Sequence, residues 1–226
     1  MAWRKHHDRL DPRLRRGIKQ ESPQGTGSVA HARRVVKLRK VVKAAFKEWS
    51  AVVEALGHGE QILIFRKGGL DEGPGGFEIR HSRFWLFPTQ FHQQAVRIVP
   101  SWMERLQRRD QPASEPGLIP IEFACAVVGH HQLEHPDQIQ ALQDQHVWQN
   151  EVLEERMAYG TTYRLHALLV EVHRLTRPTP IPMSDAYEGC RSWVELEEAP
   201  EWASTSPVLN PQAFEAKKNA FHRALS

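Results

Sequence analysis

The run VVKLRKVVKAAFKEWSAVVEALG, residues 35–57, decides how this chain is read. Val35, Leu38, Val42, Ala45, Phe46, Trp49, Val52, Val53 and Leu56 recur at three- and four-residue spacings, the apolar stripe of an amphipathic helix. Arg34, Lys37, Arg39, Lys40, Lys43 and Lys47 fall on the opposite face. The spacing predicts one long helix over 29–56, closed at Gly57-His58-Gly59.

Downstream of that helix the period shortens. Residues 61–66, QILIFR, are apolar on both faces and predict a central strand. A glycine-rich connection over 67–76 precedes a half-buried strand at 77–80 and a third strand at 84–87, stopped by Pro88. A helix is expected over about 91–108, kinked or split by Pro100. Alternation predicts a strand over 119–128. Helices follow at about 136–147, opened by Pro136, and 152–159. A long strand spans 163–175, Pro178, Pro180 and Pro182 make an extended link, and a last strand covers 191–196. A helix is expected at 211–225.

Together these elements predict an α+β domain: a mixed sheet of about six short strands, the long N-terminal helix, and two to three other helices packed on it. A small PUA-like barrel with helices satisfies the same element order. Residues 1–28 read as a basic, disordered arm, 29–197 as a single domain, and 198–226 as a tail carrying the last helix.

Charge divides the chain the same way. Residues 1–48 hold fourteen Lys/Arg against four Asp/Glu, +10, and residues 49–226 hold the other sixteen against twenty-three, −7, giving the formal +3. At 40% hydrophobic residues a core can be buried. No run reaches the roughly 18–20 apolar residues of a membrane span, so no membrane role is expected. The N-terminus lacks the apolar centre of a signal peptide. Only Cys125 and Cys190 occur, far apart, which indicates neither a disulfide framework nor a cysteine metal site and fits a reducing cytoplasm.

Several short runs resemble a known family. Glu48-Trp49, Ala55-Leu56-Gly57, Gly59-Glu60-Gln61 and Arg66-Lys67-Gly68-Gly69 look like the start of the bacterial domain of unknown function 1802. Phe77, Phe84, Leu86, Pro88-Thr89, His92-Gln93, His146, Trp148, Glu155-Arg156, Arg174-Leu175, Tyr187, Gly189-Cys190 and Ser192-Trp193-Val194 continue the likeness, over about residues 46–197. The family name assigns no activity. The resemblance implies an intracellular prokaryotic protein, and relatives joined to restriction endonuclease domains imply a link to restriction–modification.

Candidate chemistry lies in four places. Arg66-Lys67-Gly68-Gly69 ends a strand and opens a glycine-rich turn, where backbone N–H groups and two cations suit an anion. A plain turn needs the same glycines. With His92, Gln93, His146, Glu155 and Arg156, these form the expected anion- or ligand-binding set. The element order also resembles Mg²⁺-dependent PD-(D/E)xK nucleases, for which Asp71, Glu78 and Arg80, with Glu54 on the preceding helix, are the nearest residues. Arg replaces the Lys such a site uses, and a solvated hairpin explains the same residues. His130, His131 and His135 lie together in sequence, yet adjacent strand residues face apart, so no metal site is expected and no cofactor beyond that conditional Mg²⁺. Trp85, Trp102, Trp148 and Trp193 suit base stacking or, in these apolar surroundings, core packing.

The strongest feature is the basic arm with its cationic face: Arg33, Arg34, Lys37, Arg39, Lys40, Lys43 and Lys47. Such clusters attract DNA or RNA through counterion release. The expected function is therefore a non-catalytic nucleic-acid-associated module. A degenerate or Mg²⁺-dependent nuclease and a subunit that binds only a protein partner are the alternatives.

Overall fold

The structure is a computed structural model that describes residues 41–67, 81–90, 94–108, 115–189 and 191–226. The chain divides into two units, Met1–Leu38 and Arg39–Ser226, and all described residues belong to the second.

The long helix is the main correction. Residues Ala44–Trp49 form a strand, β1, and the helix α1 is confined to Ser50–Gly57. Of the rest of the predicted span, 41–43 lie in no helix or strand, and 29–40 lie outside the described residues. β1 pairs in parallel with β3 (Arg83–Thr89) and antiparallel with β6 (Trp193–Glu195). A strand covered on both faces presents adjacent apolar residues, as Ala45 and Phe46 do, and this mimics half a helical turn. Partners on both edges then decide the backbone over local propensity.

With β2 (Leu63–Arg66), β4 (Leu118–Leu133), β5 (Leu165–Pro182) and β7 (Thr205–Pro207), the described residues form a mixed sheet of seven strands, in the order β2-β5-β4-β3-β1-β6 with β7 beside β5; the strand expected at 77–80 lies outside them. The sheet is rolled. β1 and β2 are four places apart in that order, yet Arg66 of β2 donates to the Lys47 carbonyl of β1.

Four prolines, one expected to stop a strand and three expected to form a link, sit inside strands. Pro88 lies past the last β3–β4 pair, Trp85↔Ala124, so its missing N–H leaves no β4 acceptor unmet. β5 runs on through Pro178, Pro180 and Pro182, paired with Leu118–Ile121. Prolines at alternate positions turn their missing N–H groups to one edge, and β7 reaches only Leu175 on the outer edge of β5. The far halves of β4 and β5 thus form a two-stranded arm. Pro100 does split its helix, into α2 (Gln94–Arg97) and α3 (Pro100–Gln107).

Helices α4 (Pro136–Ala141), α5 (Asn150–Ala158) and α6 (Pro211–Ala224) complete the layer. The larger core gathers Phe46, Phe65, Phe84, Leu86, Trp102, Trp148 and, from α6, Phe214 and Phe221. A smaller one on the other face of β1 and β3 holds Ala45, Trp85, Phe87, Ile121 and Tyr187. Gly57 closes α1 against β4, because a Cβ there would overlap the Phe123 ring.

Candidate functional site

β1 turns successive side chains to opposite faces. Phe46 and Glu48 point into the larger core. Glu48 is only 2% exposed. Its Oε1 accepts from the Trp49 backbone N–H at 2.8 Å, whereas Oε2 has no hydrogen-bond partner among the described residues. Arg66, at the end of β2, brings Nη2 to 4.0 Å from that oxygen. Its Cζ lies 4.1 Å from the Phe46 ring centroid, and its Nε is buried without an acceptor.

Arg156 of α5 supplies a second guanidinium. It stacks on Trp148, Cζ to ring centroid 3.9 Å, with Trp49 5.6 Å away. The two indoles meet at 4.8 Å. Arg156 makes no hydrogen bond or ion pair among the described residues. Burial lowers its pKa to about 10; Glu48 opposes that shift, and Arg66 and Arg97 add to it. The indole Nε1 of Trp148 is also buried and unmatched. The bridge Ile98↔Trp148, with Val99 N donating to Val147 O at 2.9 Å, seats α2 beside α5. Arg97 can then pair with Glu155 at 3.2 Å on the exposed rim.

The structure therefore brings together Arg66, Glu155 and Arg156 of the expected anion-binding set. His146 stands near them, edge-on to Phe65 at 5.1 Å. Burial drives its pKa down to about 4, against the opposing effects of the Trp148 backbone and Asp144. It is a neutral core residue above that pH. Lys67 does different work: its amine donates to the carbonyls of Met157 (2.7 Å), Arg164 (3.0 Å) and Thr162. It closes the connection from α5 to β5, and burial and Arg164 lower its pKa. Gly68, Gly69, His92, Gln93, Asp71, Glu78 and Arg80 lie outside the described residues, as do Arg33, Arg34, Lys37, Arg39 and Lys40 of the cationic face and Cys190.

Two members of that face are described, and both serve the body. Lys47 donates to the carbonyls of Tyr187 at 2.8 Å and Gly189 at 2.7 Å, and Lys43 to that of Glu197 at 3.4 Å. Lys47 is a strand residue of β1, and Lys43 precedes that strand outside any helix. Trp85, Trp102 and Trp148 are buried in the core, and Trp193 packs on its edge. Among the described residues no group of three or more His, Cys, Asp or Glu could hold a metal ion, and no helix is long and apolar enough to cross a membrane.

Sequence reasoning missed three features. Glu48 was hidden in the supposed helix; its alternation with Phe46 was the available signal. His130 and His166 meet at 2.9 Å across β4 and β5, a contact that depends on the strand register. Burial lowers the pKa of both, His166 to about 4, with His130, Arg164 and Lys67 adding to the latter. Finally, a cleft of about 950 Å³ opens between α1 and the β4/β5 arm, lined by Lys47, Glu54, Phe87, Glu122, Arg174 and Tyr187 among others. Its cations are tied to the protein: Arg174 donates to Gly57 O at 2.8 Å and pairs with Glu122 at 3.4 Å.

Comparison with known proteins gives one family. A model described as domain of unknown function (DUF1802) matches residues 45–220, past the 197 at which the sequence resemblance ends. No curated protein matches the chain. Among solved structures, the crystal structure of ASCH from Zymomonas mobilis is 12% identical, with 78% of this chain and 93% of that chain covered at a TM-score of 0.39. Two point variants of the same protein give 12% and 14% identity. Each covers 69% of this chain, with 88% and 90% of theirs, at a TM-score of 0.38.

Proposed function

The chain belongs to the family of domain of unknown function 1802, and we propose that within it this protein is a non-catalytic nucleic-acid-associated module whose polyanion contact resides in residues 1–40. The observation that carries this reading is the segregation of charge. Residues 1–40 hold twelve Lys/Arg against three Asp/Glu. In the body, Lys43, Lys47 and Lys67 are tied to backbone carbonyls, and Arg97, Arg105, Arg108 and Lys218 are paired with carboxylates. A polyanion that releases counterions favours cations in a cluster, and residues 1–40 carry twelve in forty positions.

The test is binding of a labelled oligonucleotide to the full chain as salt is raised. Affinity that falls steeply with salt supports the reading; affinity indifferent to salt contradicts it. A role in restriction or defence belongs to the same proposal and rests on the family resemblance alone.

The cleft between α1 and the arm favours a second reading, a small-ligand module. Its volume, about 950 Å³, falls in the range of ligand pockets. Stabilisation of the protein by uncharged nucleosides or small amines, with no oligonucleotide binding, would favour it.

A further inference from the structure

We propose that the Glu48–Arg66–Arg156 cluster binds an oxyanion that retains a proton, a phosphate or phosphomonoester. An internal phosphodiester or a sulfate does not suit it. The inference rests on the nucleic-acid reading only for the source of the ligand; the chemistry of the site stands without it.

The unmet groups define what fits. Arg66 Nε and Trp148 Nε1 are buried donors without acceptors, and Glu48 Oε2 is a buried acceptor without a donor. The Arg156 guanidinium, held on Trp148, hydrogen-bonds no described residue. Buried polar atoms left unmatched are costly, and a bound group that met Arg66 Nε and Glu48 Oε2 would remove that cost. Two guanidiniums beside one carboxylate leave a net positive charge, which selects an anion.

Glu48 then selects among anions. Its Oε2 lies 4.0 Å from Arg66 Nη2, outside hydrogen-bond reach. An oxyanion on the guanidiniums would face that carboxylate. A fully ionised group such as sulfate or a backbone diester would meet like charge and leave Oε2 unmatched. A P–OH group donates to Oε2 while its other oxygens accept from the arginines, so neither side of the Glu48–Arg66 gap stays unmatched. Arg97 and Glu155, 37% and 65% exposed, mark the open side of the cluster. A terminal phosphate can reach it from there, whereas a diester within a strand would have to bring chain on both sides.

The test uses the tryptophan fluorescence of the full chain, since Trp49 and Trp148 flank the site. Inorganic phosphate, sulfate and a nucleoside monophosphate are titrated at pH 6, where a monoester is about half protonated. The expected result is phosphate and the monophosphate binding at least about tenfold tighter than sulfate. Glu48→Gln replaces the acceptor by an amide that can also donate, so it should admit sulfate and erase the preference. Arg156→Gln should weaken all three anions. Equal affinity for sulfate and phosphate in the unaltered protein, or no binding at millimolar concentration, overturns the proposal whether or not the variants fold.

A 5′-phosphorylated and a 5′-hydroxyl oligonucleotide separate the sources. A preference for the phosphorylated end places the ligand on nucleic acid. Free phosphate binding with neither oligonucleotide bound sustains the site and sinks the nucleic-acid reading. Salt-dependent oligonucleotide binding without phosphate binding does the reverse.

Discussion

Arg156 lies 3.9 Å from the centroid of the Trp148 ring and is tied to no carboxylate among the described residues. Its guanidinium is thus fixed by stacking rather than by an ion pair, and it stays near Glu48 with its donors available. A partly desolvated cation–π contact contributes about 1–2 kcal/mol. Arg156→Lys keeps the charge but gives up the planar stack and the fork of donors. We expect a loss of about 1 kcal/mol in urea unfolding. A variant as stable as the parent would show that the stack does not hold the side chain.

Lys67→Met tests whether this lysine is structural. It removes the amine that gathers the carbonyls of Met157, Thr162 and Arg164. The expected outcome is faster amide exchange over residues 157–165 and lower thermal stability, with oligonucleotide and phosphate affinity unchanged. Loss of affinity without loss of stability would return Lys67 to the binding set.

Gly57→Ala opposes two effects. Alanine is the better helix residue by up to about 1 kcal/mol, but its Cβ would overlap the Phe123 ring. Overpacking of this kind costs about 1–3 kcal/mol, so net destabilisation is expected in thermal or urea unfolding. A stabilised variant would mean that Phe123 moves aside freely.

Acid should destabilise the fold before the carboxylates titrate. His146 and His166 have pKa values pushed from 6.5 to about 4 by burial. The unfolded chain therefore binds protons that the folded chain excludes between those values, and stability falls as pH falls from 6.5 towards 4. For the more deeply buried His146 the effect is on the order of 3 kcal/mol. Calorimetry from pH 7 to 4 should show a falling Tm, with a shallower slope in His146→Leu. An unchanged slope in that variant would remove His146 from the account.

Much of the sheet was legible because its strands carry their own signals. Residues 61–66 and 119–128 are apolar runs with turns or polar loops before them, and β2 and β4 lie where these runs predict, β4 continuing to Leu133. β1 was not legible, since Ala44–Trp49 satisfies a helical spacing and becomes a strand only through pairing with β3 and β6. The site was half legible for the same reason. Arg66, Glu155 and Arg156 are polar residues at element ends, a place where sites are built. Glu48 became visible as their partner only once β1 was a strand with alternating faces. The cleft depends on where a two-stranded arm reaches back over α1, which no local pattern encodes. Proline punctuation misled at 88 and at 178–182, because its reading depends on whether the missing N–H faces a neighbour.

The salt slope of oligonucleotide binding in the full chain, set against a variant with Arg33, Arg34, Lys37, Arg39 and Lys40 all changed to Gln, locates the polyanion contact. Each phosphate contact contributes about 0.7–0.9 to the slope of log affinity against log salt. If the leading segment makes the contact, the variant should lose affinity and roughly 3.5–4.5 units of slope, while its thermal stability is unchanged. An unchanged slope would place the polyanion contact on the body and contradict the account.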